Sequence, residues 1–219
     1  MGASADRTAN SEASCGHNFD MTGGAPALDF CNTVDERRGT PKERLEDYVG
    51  LLNWSHQAGI LSTAELASLT EMAAKNPRGA SGTLKCARAL REILFSAFAV
   101  AAGGGKLDVK HVDALNKWIR KAGLRRRLSG KGDSLSWKYT SGNDLALDTM
   151  LWPVVESAAE ILVSDDLRSR IRLCEGPRCA WTFLDFSRLK NRRWCDMSVC
   201  GNRAKAQRHY RRSRTGAVE

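Results

Sequence analysis

CEGPRC (174–179) and CDMSVC (195–200) are the two stretches that decide how the end of this chain folds. Each holds two cysteines separated by four residues, and fifteen residues lie between the pairs. Two close pairs with a short insert are the pattern of a tetrahedral thiolate site. Cys174, Cys179, Cys195 and Cys200 are therefore the expected ligands of one Zn²⁺. Gly176 and Pro177 suit the tight turn that lets both sulfurs of the first pair face one ion. Four thiolates around one divalent ion leave a net negative charge, and Arg178, Arg192, Arg193 and Arg203 flank the cysteines to balance it. With all four ligands drawn from cysteine, no position is open to a substrate, so the zinc is expected to be structural. Buried free thiols, or two disulfides in an oxidised chain, are the alternatives. Cys15, Cys31 and Cys86 are scattered, and the odd total of seven argues against a secreted disulfide framework.

The insert AWTFLDFSRLKNRRW (180–194) has Trp181, Phe183, Leu184 and Trp194 at its apolar positions. A strand, turn and strand would bury them beside the metal. The second cysteine pair would then open a helix from Asn202 to about Arg212. Knuckle, hairpin and helix in that order make a treble-clef-like finger. A unit this small has little core, and metal binding would supply much of its folding free energy.

Upstream, the pattern is helical. PKERLEDYVGLLNWSHQAG (41–59) begins with Pro, ends with Gly and sets Leu45, Val49, Leu52 and His56 on one face. Ser62 and Glu65 form a capping box for a second helix striped by Leu66, Leu69 and Ala73, which Asn76-Pro77 ends. A third helix is expected over 83–102, closed by three glycines. A fourth starts at Asp108, with Val112, Leu115 and Ile119 on one face. The period then changes to two: Leu135, Trp137 and Tyr139 alternate with Ser136 and Lys138. That is a half-buried strand, with Leu124, Arg126 and Leu128 in its hairpin partner. A further helix follows around Pro153. The fold class is mainly α with a small β-hairpin. The expected division is a tail over 1–20, a helical domain over 21–166 and a zinc finger over 167–219.

Charge is uneven. Residues 1–164 hold 20 Lys and Arg against 19 Asp and Glu, while residues 165–219 hold 14 against 6. A basic module on a near-neutral body points to a polyanionic partner. On the C-terminal helix, Lys205, Arg208 and Arg212 share a face and Arg211 lies beside it. Arg188, Lys190 and Arg192 add cations from the insert. Arg193 and Arg203 adjoin metal ligands and are assigned to charge balance instead.

FLDFSRLKNRRWCDMSVCGNRAKAQRHYRR resembles the zinc finger of the CGNR family, named for Cys-Gly-Asn-Arg as it stands at 200–203. GAPALDFCNTVDERR (24–38) and Leu-Leu-Asn-Trp (51–54) resemble the helical ABATE domain that precedes this finger. The resemblance implies a bacterial stress-induced transcription regulator whose C-terminus binds DNA. A finger in one copy reads few base pairs, so specific binding would call for a homodimer on spaced half-sites. Docking of the finger on an acidic protein is the alternative from another class.

Arg91 falls among Leu84, Phe95, Phe98 and Ala102 on a helical wheel, and a buried guanidinium needs a partner. The partner is either internal, such as Asp29, or a small anionic ligand. In the second case Asp29, Asn32, Thr33, Trp54 and Arg91 would wall a pocket, and the helical domain would be a sensor. The four histidines stand in unrelated contexts, and no residue pattern calls for catalysis. The longest apolar run, ILFSAFAVAA (93–102), is ten residues, half of a membrane span. Residues 1–20 contain no apolar run. A cytoplasmic location is expected.

Overall fold

In this computed structural model the chain is described over residues 18–140 and 145–215, side chains excepted at 211, 212, 214 and 215. The body is built around a six-residue helix, α1 (Pro26–Cys31), in which Ala27, Leu28, Asp29, Phe30 and Cys31 are all buried. It packs on α4 (Pro77–Ala102), α6 (Leu151–Val163) and the finger strand β6 (Thr182–Leu184). Along α4 the buried positions 80, 84, 87, 90, 91, 94, 97 and 98 recur at helical spacing. Each fully buried Leu or Phe on that stripe contributes about 1.5–3 kcal/mol. Phe30 meets Trp54 with ring centroids 4.9 Å apart, at the centre of the core.

Capping residues set the helix boundaries. Asp47 accepts from Gly50 N–H to start α2 (Tyr48–Gln57), and Ser62 with Glu65 forms the expected capping box of α3 (Thr63–Lys75). Asp108 caps α5 (Val109–Arg125) through His111 N–H at 2.9 Å. Two boundaries differ from the sequence reading. Pro41 does not open a helix, because Lys42–Glu43 pair as β2 with β1 (Val34–Asp35). The buried residues of α2 are consequently Tyr48, Gly50, Leu51, Leu52, Trp54 and Ser55, and Val49 is exposed. Pro77 does not merely stop α3. It occupies the first turn of α4, where its missing N–H costs nothing, and Asn76 caps that helix through Gly79 N–H.

The hairpin of β3 (Arg126–Lys131) and β4 (Ser134–Tyr139) forms, with Leu128 opposite Trp137, but Leu124 belongs to α5 instead of the strand, because the helix runs on to Arg125. It is exposed rather than half-buried, because alternation specifies a pleat and no element among the described residues packs over its distal half. At the N-terminal end, the expected tail lies outside the described residues up to position 17. Phe19 is buried, and Arg44 holds this segment through Asn18 O and Asp20. Among the described residues no helix is long and apolar enough to cross a membrane.

Candidate metal centre and nucleic-acid interface

Helix α7 (Asp165–Arg170) runs directly into β5 (Ile171–Leu173), which pairs antiparallel with β6. The first cysteine pair is the turn of this hairpin. Cys174 N–H donates to Trp181 O at 2.8 Å, extending the ladder by one step, and Cys179 N–H closes the turn on Gly176 O at 3.1 Å. The strand–turn–strand expected inside the 180–194 insert is therefore absent: the partner of β6 lies before Cys174. A Cβ on Gly176 would come within 3.1 Å of Cys179 Cβ and 3.2 Å of Cys200 Sγ, so glycine is what lets the sulfurs converge. The second pair flanks a cap: Cys195 lies just before Asp196, which caps the wide helical turn Met197–Gly201 through Val199 N–H at 2.8 Å, and Cys200 lies in that turn. That turn leads into α8 (Asn202–Thr215). A Cβ on Gly201 would collide with Met197 Sδ, and Asn202 Nδ2 donates back to Ser198 O at 3.0 Å. In Cys-Gly-Asn-Arg, then, the first residue is a ligand, and the next two shape the turn behind it.

The four Sγ atoms lie within 4.8 Å of one another and all four residues are buried. Cys195 Sγ is 3.8 Å from both Cys179 and Cys200 Sγ. A tetrahedron with Zn–S bonds of about 2.3 Å has edges of about 3.8 Å, whereas a disulfide brings sulfurs to about 2.05 Å. The donor set and its spacing fit zinc, and the cysteines are free thiols rather than disulfides. Thiols packed this closely let one ionise at the expense of the rest: hydrogen bonds from Cys179 and Cys195 lower Cys174. Hydrogen bonding with Cys174 raises Cys179 and Cys195, and burial raises Cys200. A divalent cation removes that conflict because every sulfur then binds as thiolate. Gly176 N–H and Trp181 N–H point at the Cys174 and Cys179 sulfurs, each at 3.4 Å, as donors to negative charge. This is a site for one structural zinc.

The finger is not appended loosely. Asn32 of the body clasps the backbone of β6: its Oδ1 accepts from Thr182 N–H at 2.8 Å and its Nδ2 donates to Thr182 O at 2.9 Å. Trp181 Nε1 donates to Val34 O at 3.0 Å, and Leu184 N–H to Gly23 O at 2.9 Å. Arg38 donates to Cys174 O and Gly176 O at 2.6 and 3.2 Å, gripping the knuckle itself. Ile171 and Leu184 belong to the body's core, while Trp181, Phe183 and Trp194 pack with the cysteines. A cavity of about 260 Å³ opens where body and finger meet, lined by the metal ligands Cys179, Cys195 and Cys200 together with Asp35, Glu36, Trp181 and Arg203 among others.

Of the five residues read as a ligand wall, Asp29, Asn32, Thr33 and Arg91 are spent on internal hydrogen bonds, while Trp54 is packed in the core with its Nε1 unpartnered among the described residues. Arg91 pairs with Glu43, not Asp29: two hydrogen bonds of 2.7 Å join the guanidinium to both carboxylate oxygens. Thr33 Oγ1 accepts a third at 3.0 Å. Burial works to raise the Glu43 carboxyl, but the Arg91 guanidinium outweighs it and holds Glu43 below the usual range. Asp29 accepts from Gly23 N–H at 2.7 Å, and burial pushes it up to about 6 against that hydrogen bond. Asn32 holds the finger, and Trp54 is fully buried against Phe30.

The residues expected at DNA divide into three groups. Lys205 and Arg208 are exposed on α8, and Arg188 is exposed in the loop after β6. None of the three has an ion-pair partner among the described residues. Lys190 is exposed but lies 3.8 Å from Asp166. Arg192 is taken up inside the finger, donating to Trp194 O at 2.9 Å and to Cys195 O, with its guanidinium 4.6 Å from the Phe183 ring centroid. It braces the second knuckle, which removes it from the outward-facing set. The side chains of Arg211 and Arg212 lie outside the described residues. Of the two arginines assigned to charge balance, Arg193 pairs with Glu175 at 2.7 Å, and Arg203 is exposed at the mouth of the cavity. Besides Glu43, two structural residues that hold the finger escaped the sequence reading. Arg38 carries no local signal. Asp185, fully buried, does: in Asp-Phe-Ser it accepts from Ser187 N–H, as Asx turns do, and also from Arg192 N–H, both at 2.9 Å.

A four-cysteine zinc finger seated on a helical body is the class of protein that this fold and site define. Residues 24–165 match the ABATE family, described as "Putative stress-induced transcription regulator", and residues 170–213 match the CGNR zinc finger. The chain belongs to the ABATE family and carries a CGNR finger at its C-terminal side. No curated protein matches it.

Proposed function

We propose that this protein regulates transcription by binding duplex DNA through its zinc finger, with α8 as the contacting helix. The observation that carries this reading is the solvent-facing pair Lys205 and Arg208, which no carboxylate among the described residues neutralises, on a helix anchored by the metal turn. Arg188 adds a cation from the loop, and the family's description supports the same role. Zinc orders the helix, and the cations meet phosphate oxygens. Six neutralised phosphates would give a log–log salt slope of about −5. Fluorescence anisotropy of labelled duplex DNA across a potassium chloride series tests this. Binding at low salt no tighter than that of an uncharged control polymer would remove the reading. The same titration with an acidic peptide separates DNA binding from docking on an acidic protein.

The cavity where finger and body meet supports a second element, sensing of a small molecule by the body. Its carboxylates Asp20, Asp35 and Glu36 are answered by Arg44, Lys42 and Arg178, and the metal ligands Cys179, Cys195 and Cys200 line it beside the Trp181 ring, so a small molecule would bind against the metal site and not at Arg91. A melting screen of the zinc-loaded protein against small amines and small anions checks this element.

A further inference from the structure

The near-neutral sum over residues 1–164 conceals a polarised body. Residues 109–139 carry nine Lys and Arg against two Asp, and the rest of 1–164 carries eleven against seventeen. The positive excess lies on α5 and the β3–β4 hairpin, which follow one another without a break. On α5, Lys110, Lys117 and Lys121 recur at i, i+7 and i+11 and so share one exposed face, with Arg120 beside them. The opposite face buries Leu115 and Ala122 in the core.

The hairpin continues this charge. Its register sets Arg127 opposite Lys138, Ser129 opposite Ser136 and Lys131 opposite Ser134, so one face is made of cations and hydroxyls. Glu65 reaches Lys138 at 3.6 Å and answers its charge, so among the described residues Arg127 and Lys131 are the unneutralised cations of this face. The other face is fastened at its root, where Arg126 reaches Glu156 at 3.0 Å and Tyr139 donates to the same carboxylate. Beyond the root, Leu128, Leu135 and Trp137 are each more than half exposed. Lys110, Lys117, Arg120, Arg127 and Lys131 have no carboxylate partner among the described residues.

We infer that α5 and the β3–β4 hairpin form a second DNA-binding surface, contacting the phosphate backbone of a duplex. Cations interspersed with serine hydroxyls are phosphate donors, and a two-stranded ribbon fits the major groove. A second copy of the chain is disfavoured as occupant, because a self-complementary contact would bring like charges together. The choice of DNA as the polyanion rests on the reading of the finger, whereas the surface itself does not.

The test uses the full, zinc-loaded chain and a labelled duplex of about 30 base pairs over a salt series. Three double variants are compared: R127A/K131A in the hairpin, K110A/K117A on α5, and K205A/R208A in the finger. All six side chains are exposed. The hairpin and α5 variants are each expected to weaken binding about tenfold at moderate salt and to flatten the log–log slope by about 2, one phosphate contact per cation lost. Wild-type affinity and slope in both, with loss only in the finger variant, would overturn the inference and leave the finger reading standing. The reverse pattern would support the inference and remove the finger as a DNA contact. Failure of the wild type to bind duplex, with tight binding to an acidic peptide that R127A/K131A abolishes, would overturn both in favour of a protein partner.

Discussion

Asn32→Ala tests whether body and finger form one folding unit. Asn32 and Thr182 are 3 % and 0 % exposed, and the Asn32 amide satisfies both backbone groups of Thr182. Truncation leaves a buried N–H and a buried C=O without partners, at about 1–3 kcal/mol each. Allowing for partial relaxation, the loss is about 2–4 kcal/mol. In a chain of this size each kcal/mol moves the melting temperature by about 2–4 °C, so a fall of about 5–15 °C is expected. The assay is a thermal melt followed by circular dichroism with zinc in excess. A wall residue of a ligand pocket would leave the melt of the ligand-free protein unmoved. A fall below about 1 °C would refute the clasp, as would two separate transitions of which only the smaller shifts.

Two shorter predictions follow from the buried charges. Glu43→Gln keeps the shape opposite Arg91 but leaves the buried guanidinium with only Glu92 as counter-charge, a half-exposed carboxylate 3.0 Å from Arg91 Nε that Arg37 shares. Because Glu43 is about one-third exposed, the cost should fall below the 3–5 kcal/mol of a fully buried pair, at about 2 kcal/mol, read from urea unfolding. Replacing both partners, Arg91→Met with Glu43→Leu, should cost less than that single change. Asp29 has its folded value raised to about 6 from 3.8. The stability tied to its protonated form is complete below about pH 4 and is lost as pH rises through 6. Asp29→Asn retains the acceptor for Gly23 N–H without the charge, so it should stabilise the protein by on the order of 2 kcal/mol above pH 6 and by nothing below pH 4. An equal gain at both pH values would contradict the assignment.

What was legible in the sequence is what local chemistry decides. The four metal ligands are legible because spacing and turn residues suffice. The caps at Ser62 and Asp108 are legible because a side chain meets a backbone N–H three residues on. Glu43 is not: it lies 48 residues from Arg91, in a strand of two residues that is too short to show a period. Alternation over 135–139 specified the pairing of β3 and β4 but not whether anything covers them. The division near residue 166 follows the charge contrast, yet Ile171 and Leu184 beyond it pack into the body's core. Summing charge over 164 residues also hid the basic stretch at 109–139, because acidic segments elsewhere cancel it.

The two halves of the metal site are supported unequally, and that sets what zinc does. The first pair is the turn of a hairpin whose strands contact α1, α4 and α7 and which Asn32, Arg38 and Gly23 hold by hydrogen bonds. By contrast, α8 packs chiefly on the Met197–Gly201 turn that carries Cys200. The metal is therefore the main strut between the body and the basic helix. Chelation should release 196–215 while β5 and β6 stay docked. In hydrogen exchange on the full chain, amides of 196–210 are expected to lose protection by more than a hundredfold on zinc removal. Those of Thr182 and Leu184, bonded to Asn32 and Gly23, should change by less than about tenfold. Equal loss in both segments would mean that zinc, not the body, holds the hairpin in place. Retained protection in both would mean that α8 is folded by contacts other than the metal site.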